Sequence, residues 1–232
     1  MTNETAVIAV ISYLVFLFST VCHEMAHALV ARLLGDDTAY HNGQVTLNPW
    51  PHIRQEPFGL GIFPLISLFL SIQANGLGVF GFASAPFDPD WAKEHPKRAA
   101  WMALAGPGMN FLLATLAVAL LKLGVLVKIF LPGASSTWQL VQGPTELSEG
   151  FAVLLSVVFF ENLLLGVWNL LPIPPMDGFS GLLLVLPEGK VHAFFELRTQ
   201  LGMIYPMAMF AISGVFWRLF DPLLDTAIEI LF

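Results

Sequence analysis

The sequence predicts an all-α polytopic membrane protein with about four full transmembrane helices and a re-entrant helix/strand element near residues 58–85. Three observations predict it. Of 232 residues, 56% are hydrophobic and 12% charged, whereas soluble domains carry roughly 25% charged residues; mean hydropathy is +0.73. Four apolar runs, near 5–34, 99–121, 151–171 and 202–220, reach the ~18 residues or more that crossing hydrocarbon demands. A fifth apolar stretch, 58–85, is broken by Gly, Pro, Gln and Asn and does not read as one straight helix.

The first run carries "AVIAVISYLVFLFST" without a charge. Its leading "MTNET" has no basic residue, and no small-x-small site precedes His23, so the segment reads as a retained helix and not a signal peptide. Loop 35–57 follows, with a strand-like "GQVTLNP" ending at a proline. In 58–85 the pattern is helix-like to about 74 and then returns through "NGLGVFGFASAP" as strand or loop. A polar stretch, 86–98, leads into the second long helix at Ala99. Connection 132–150 has no Lys or Arg, and the third long helix ends at "NLLPIPPMDGFSG". The fourth follows a loop carrying Lys190 and Arg198; the tail 221–232 reads as an interfacial helix or as the end of the last one.

Charge placement orients these elements. Positive residues favour the cytoplasmic side. Arg32, Arg54, Lys97 and Arg98 put both ends of 35–98 there, so 58–85 enters and leaves by one face. Non-helical backbone at that depth must be covered by protein or line a wet cavity. Lys122 and Lys128 snorkel at the outer end of the second long helix. Basic runs that would bind nucleic acid or anionic lipid are absent. One cysteine, Cys22, excludes an internal disulfide. With no linker or repeat, 1–232 reads as a single transmembrane domain.

Polar residues inside lipid point to the chemistry. An ionisable side chain at the centre of a membrane helix costs about 2.5–3.5 kcal/mol on insertion scales, yet "VCHEMAHAL" places His23, Glu24 and His27 together. Two histidines four apart share a helical face, can ligate one Zn²⁺, and leave the intervening Glu24 to act as general base. Cys22 points about 100° from His23 and does not share that face. A catalytic zinc needs a third protein ligand and an open position. Two carboxylates compete for it. Asp177 follows Pro172, Pro174 and Pro175, which end the helix, and it also suits a helix N-cap. Glu161 lies half way along the third run, eight residues before Asn169 on the same face. His41, Asn42, Asn48, His52 and Gln73 are candidates to line water access.

"HEMAH", "AGPGMN" (105–110) and "NLLPIPPMDG" (169–178) together resemble the site-2 protease family of intramembrane zinc metalloproteases, in order, spacing and helix placement. "GQVTLNPWPHI" and "GFASAPFDP" are similar to the compact prokaryotic members. The resemblance covers about residues 10–185. It implies His23, His27 and Asp177 as zinc ligands, Glu24 as catalytic acid/base, and Asn169 as a donor to the substrate backbone or oxyanion. It favours Asp177 over Glu161. Gly108 departs from the bulkier apolar residue usual in the family's Gly-Pro-x-x-Asn. The expected substrate is a transmembrane segment of another protein, hydrolysed near the cytoplasmic face of a prokaryotic membrane. The expected cofactor is Zn²⁺, and a regulatory membrane partner or homo-oligomer is compatible with it. The Gly-rich return around Gly76 and Gly78 is expected to offer a strand edge to the extended substrate. Neither an inserted peptide-binding domain nor a C-terminal regulatory domain is evident, as in the family's minimal form. A metal transporter or a silent scaffold is the competing reading; few polar residues stack along the second long helix, and Glu24 is not needed for metal binding alone.

Overall fold

In the computed structural model, which describes residues 3–73, 78–136, 139–202 and 205–231, the first apolar run forms one helix, α1 (Asn3–Leu34). It stops where Gly35 takes φ 105°, a left-handed conformation that glycine adopts freely. The Asp36 amide then closes back on the Ala31 carbonyl at 2.9 Å, and Arg32 complements the negative helix end. A single turn, α2 (Thr38–His41), starts from Asp36, whose carboxylate accepts from the Thr38 amide at 2.9 Å. The expected strand at "GQVTLNP" is a turn leading into a helix. The Thr46 hydroxyl accepts from the Asn48 amide, and Asn48 in turn caps α3 (Pro49–Gln55). These local bonds offer the backbone an alternative to a ladder.

The region expected to be re-entrant begins with a π-helical turn, Pro57–Ile62, and continues as α4 (Phe63–Gln73). The bend between α3 and this pair is 118°. From residue 78 the chain comes back extended beside the helix it left. The Phe80 amide donates to Ser67 Oγ at 2.9 Å, the Phe82 amide to the Gly59 carbonyl at 3.1 Å, and Ser84 Oγ to Glu56 at 2.7 Å. Two glycines permit that approach: a Cβ on Gly59 would overlap the Phe82 carbonyl, and one on Gly81 would meet the Phe16 ring and the Gly59 carbonyl.

Asp88 then caps α5 (Pro89–Glu94). The second long helix, α6 (Pro96–Leu126), starts at a proline whose fixed φ suits a first turn. It packs antiparallel to α1: the Arg98 guanidinium donates to the Leu34 carbonyl at 3.2 Å at one end. The all-α expectation is corrected in the next connection. Strands β1 (Leu131–Ser136) and β2 (Gln139–Gln142) form an antiparallel hairpin, with Leu131 opposite Gln142 and Pro132 opposite Val141. The hairpin exists because β2 has a surface to lie on. Leu140 and Val141 are buried, the Leu140 amide donates to Ser156 Oγ at 2.9 Å, and the Glu149 carboxylate accepts from the Gly143 amide at 2.6 Å.

Ser156 and Glu149 belong to α7 (Glu146–Asn169), opened by a reciprocal Thr145–Ser148 capping box. After α7 come α8 (Asp177–Gly181), two short 3₁₀ turns, α9 (Val191–Gly202) and α10 (Tyr205–Leu231). Helix α10 runs unbroken through Pro222, so the tail is the end of the last helix. Among the described residues, α1, α6 and α7 are long and apolar enough to cross a membrane, and the bent α3–α4 pair would make a fourth. The expected fourth span at 202–220 is not among the helices that meet this length and composition within the described residues; residues 203–204 lie outside them, and from Tyr205 the run belongs to α10. Leu14, Phe18, Leu112, Leu116 and Leu120 stand exposed on α1 and α6, as lipid-facing side chains do. This is an integral membrane protein.

Three apolar clusters hold these pieces. Leu121, Leu140, Val141, Phe160 and Phe220 join α6, the hairpin, α7 and α10. Trp91, Ala100, Phe179 and Phe194 join α5, α6, α8 and α9. Phe16, Leu60, Leu68 and Val79 seat the re-entrant pair on α1.

Candidate metal centre

Antiparallel α1 and α6 bring the histidines opposite two acceptors. His27 Nδ1 lies 2.8 Å from the Met102 carbonyl, which can only accept, so Nδ1 carries the proton and Nε2 a lone pair. The same logic fixes His23 through a longer chain. The Val158 carbonyl accepts from Asn162 Nδ2, which also meets Ser19 Oγ at 2.8 Å. Asn162 Oδ1 therefore accepts from Asn110 Nδ2 at 2.9 Å. Asn110 Oδ1 then faces His23 Nδ1 at 2.5 Å and must accept from it. Both imidazoles thus present bare Nε2 atoms to one point.

Asp177 completes that point. Beyond Asn169 the chain doubles back through the proline segment, with the Met176 amide on the Ile173 carbonyl at 2.9 Å, and Asp177 opens α8. Its carboxylate does not cap that helix. Asp177 Oδ2 lies 3.0 Å from His23 Nε2 and 3.3 Å from His27 Nε2, and the two Nε2 atoms are 2.9 Å apart. Three lone-pair atoms converge, and they form a group able to hold a metal ion. The space beside the two Nε2 atoms exists because residue 106 is glycine: a Cβ there would collide with both.

The other sequence candidates are distributed around this centre. Glu24 is 5% exposed beside it, and its Oε2 has no hydrogen-bond partner among the described residues. Asn169 stands at the last residue of α7, with its amide nitrogen turned back onto the Leu165 carbonyl at 3.0 Å. Gly78 starts the extended return, against the Phe80 ring; Gly76 lies outside the described residues. Glu161 is not with the histidines but fully buried near the Val79 backbone. Cys22 is buried and free. His41, Asn42, Asn48 and Gln73 are exposed, whereas His52 is buried. Lys122 and Lys128 are exposed at the far end of α6. Gly108 meets nothing within 4 Å, so its departure from the family pattern leaves open space and no defect.

Sequence reasoning placed Gly106 and Asn110 near the site only as parts of the "AGPGMN" motif, without their roles, and missed Asn162, Ser19 and the Met102 carbonyl. A signal existed for the two asparagines, each an amide inside a long apolar run.

The sequence matches Peptidase family M50 over residues 11–213. It is 30% identical to "Putative zinc metalloprotease YwhC" of Bacillus subtilis (strain 168) over 229 residues, covering 96% of this chain and 92% of that protein. It is 30% identical over 214 residues to "Putative zinc metalloprotease Rip2" of Mycobacterium tuberculosis (strain ATCC 25618 / H37Rv), covering 89% and 71%. It is 30% identical over 169 residues to "Putative zinc metalloprotease Rip2" of Mycolicibacterium smegmatis, covering 72% and 54%. No solved structure matches the chain. A membrane protein with this ligand group, matched over nearly its whole length, belongs to Peptidase family M50, the site-2 protease family.

Proposed function

We propose that the protein is an intramembrane zinc metalloprotease that hydrolyses a peptide bond in or near a transmembrane segment of a membrane-protein substrate, as a step in regulated intramembrane proteolysis. The convergence of His23 Nε2, His27 Nε2 and Asp177 Oδ2 carries the reading. With both protons held on Nδ1, three acceptors face one another, and a cation is what that arrangement accommodates. Zinc suits the set: bonds of about 2.0–2.1 Å at tetrahedral angles separate ligand atoms by roughly 3.3 Å, and the three atoms lie 2.9–3.3 Å apart. The names of the bacterial relatives point to the same metal. His23, His27 and Asp177 would hold it. When bound, zinc supplies Lewis acidity toward water and the scissile carbonyl.

The chain's own residues do the rest. Glu24 accepts a proton from the attacking water as the water oxygen bonds to the carbonyl carbon. It returns that proton to the amide nitrogen as the C–N bond breaks, and the second water proton follows to the amine, leaving a carboxylate and an ammonium. Burial of Glu24 keeps this transfer out of bulk solvent. Asn169 sits where α7 gives way to the Asp177 segment; by releasing Leu165 its amide becomes a donor for the substrate backbone or the carbonyl oxygen. The extended return from Gly78 to Ser84 makes its backbone bonds to one side, through Ser67 and Gly59, and substrate pairs along the other. Substrate selection then rests on the membrane core or on a partner, and the centre lies nearer the cytoplasmic face.

The test is paired: zinc content, and cleavage of a panel of membrane-helix substrates in liposomes, for wild type and Glu24→Gln. Equal zinc with cleavage lost in the variant is the expected result. Absence of stoichiometric metal from both proteins would sink the proposal.

A further inference from the structure

The chain has ten lysines and arginines, and Arg198 alone among them is not exposed. Elsewhere the cations that leave bulk water find acceptors: Arg32 pairs with Asp37, Lys93 with Asp90, and Arg98 reaches the Leu34 carbonyl. Arg198, on α9, has no carboxylate or carbonyl within bonding distance among the described residues. Its guanidinium carbon stands instead over the Phe87 ring, 5.3 Å from the centroid. A cation above a ring gains from the π face and uses no N–H donor to do so, so the five donors of Arg198 stay available. The opposite charge acting on it is that of Asp177, which the metal group already employs. A part-buried charge with unused donors is costly to keep unless an anion arrives.

Two ring contacts fix where the guanidinium lies. Phe87 is the last residue of the extended return before Asp88 caps α5. Phe194, one turn before Arg198 on the same face of α9, stacks on Phe179 with centroids 4.5 Å apart, and Phe179 is two residues past Asp177 in α8. Phe87, Phe179 and Phe194 share one apolar cluster. Arg198 therefore stands between the end of the return segment and the helix that carries Asp177. An extended peptide paired along the return segment passes it on leaving. We propose that Arg198 is a specificity-determining residue: its guanidinium receives the carboxylate of an acidic side chain of the substrate beside Phe87, so that the protein selects transmembrane segments followed by Asp or Glu on the side where α1 ends. Guanidinium and carboxylate match as a two-pronged, charge-assisted pair. A place between two elements of the site, unlike that of the exposed Lys97 and Lys190, favours a peptide carboxylate over a lipid phosphate. The inference rests on the protease reading and on the return segment as the substrate edge.

A charge swap tests it. Membrane-helix substrates are made in sets that carry Glu, Gln or Lys at one position, scanned along the flank on the side where α1 ends. Cleavage is followed in phosphatidylcholine liposomes for wild type, Arg198→Lys and Arg198→Glu. At the matching position wild type is expected to favour Glu over Lys by about tenfold in kcat/KM, the order of a charge-assisted hydrogen bond, with the difference in KM and not in kcat. Arg198→Lys should keep the sign of that preference and lose part of its size. Arg198→Glu should reverse it, and its cleavage of the Lys substrate shows that the variant is folded. A preference unchanged in Arg198→Glu at every position would overturn the assignment, as would equal loss on all three substrates. A preference that appears only when phosphatidylglycerol is added would give Arg198 to a lipid phosphate and also overturn it. The same sets, fluorescently labelled, are titrated against Glu24→Gln and Glu24→Gln/Arg198→Glu, where binding is read without turnover. A wild type that holds zinc and cleaves nothing would count against the protease reading, and the order of these binding constants would still judge Arg198.

Discussion

At position 106 one methyl group decides whether the centre can form. A Cβ on Gly106 would occupy the space beside both Nε2 atoms, so Gly106→Ala is expected to lose stoichiometric zinc while keeping its helical circular dichroism. Gly108→Leu is the control two residues on, where the Cβ meets open space, and it should bind zinc normally. Full zinc occupancy in Gly106→Ala, by elemental analysis of the purified protein, would contradict the cradle. Asn110 acts one bond further out. Partners that orient a metal-ligating histidine are commonly worth 10–100-fold in affinity, so Asn110→Leu should weaken zinc by about that range in competition with a chelating dye. An unchanged affinity would mean that His23 holds its tautomer without help. At this scale the candidate trio was legible because it is local. His23, Glu24 and His27 lie within five residues, and their charge stands out against lipid-compatible neighbours. The choice of Asp177 over Glu161 was legible in part, since Asp177 lies beyond the proline break, where the chain can bend back, and Glu161 half way along the third run; the family resemblance favoured it too, and the structure separates them by where the chain doubles back. The relay Asn110–Asn162–Ser19 joins three helices at no sequence interval, and no periodicity announces it.

The re-entrant pair shows what governs single elements. Helix α4 and the return segment hold together through a few bonds and two glycine contacts, not through a ladder. Gly81→Ala forces the Phe16 ring or the Gly59 carbonyl to move, and overpacking of this kind costs about 1–3 kcal/mol. The expected outcome is a lower thermal midpoint and reduced photocrosslinking of substrate to positions 78–84, with zinc content unchanged. Crosslinking at wild-type efficiency would remove this segment from the substrate path. A second element depends on its cap. Thr145 and Ser148 satisfy each other's amides at the start of α7, and Thr145→Ala should destabilise by about 1 kcal/mol, measured by heat-induced loss of helicity in detergent. The sequence pattern located the three long helices but set α6 short at both ends and α7 short at its start: α6 begins at Pro96 and runs to Leu126, and α7 begins at Glu146. Those extra turns rest on caps and first-turn prolines, which apolar counting ignores. Strand β2 is four residues long, too short for alternation to reveal, and its burial comes from α7 rather than from its own composition. The turn at 43–48 went the other way, because Thr46 and Asn48 bond locally where the residue types suggested a strand.

For the whole molecule the central matter is which ends lie together. Asp36 links the two polar segments that flank the re-entrant pair. One of its oxygens accepts from the Thr38 amide and the other from the Asp88 amide, each at 2.9 Å, while Arg98 reaches the Leu34 carbonyl. The end of α1, the start of α6 and both ends of 35–98 are therefore on one side, and the β-hairpin between α6 and α7 is on the other. The return segment comes back beside the helix that preceded it, as the expected re-entrant element would. The chain supplies its own assay background. Cys22 is the sole cysteine and is buried, so a Cys22→Ala protein carries no competing thiol. Single cysteines at Asn42 and Glu94, both exposed, should react with a membrane-impermeant maleimide from the same side of intact cells or oriented vesicles. A cysteine at Lys128, also exposed, should react from the opposite side. Arg32, Arg54, Lys97 and Arg98 at the first end make the cytoplasmic side the expected one by the positive-inside rule. Label reaching Asn42 and Glu94 from opposite sides would turn the re-entrant pair into a true crossing, and would break the link between the two segments that Asp36 joins. Agreement of those two sites with reversed polarity would keep the fold and move the metal centre to the outer half of the membrane. The metal group would then meet substrates from the other compartment, so this labelling decides which proteins could reach it.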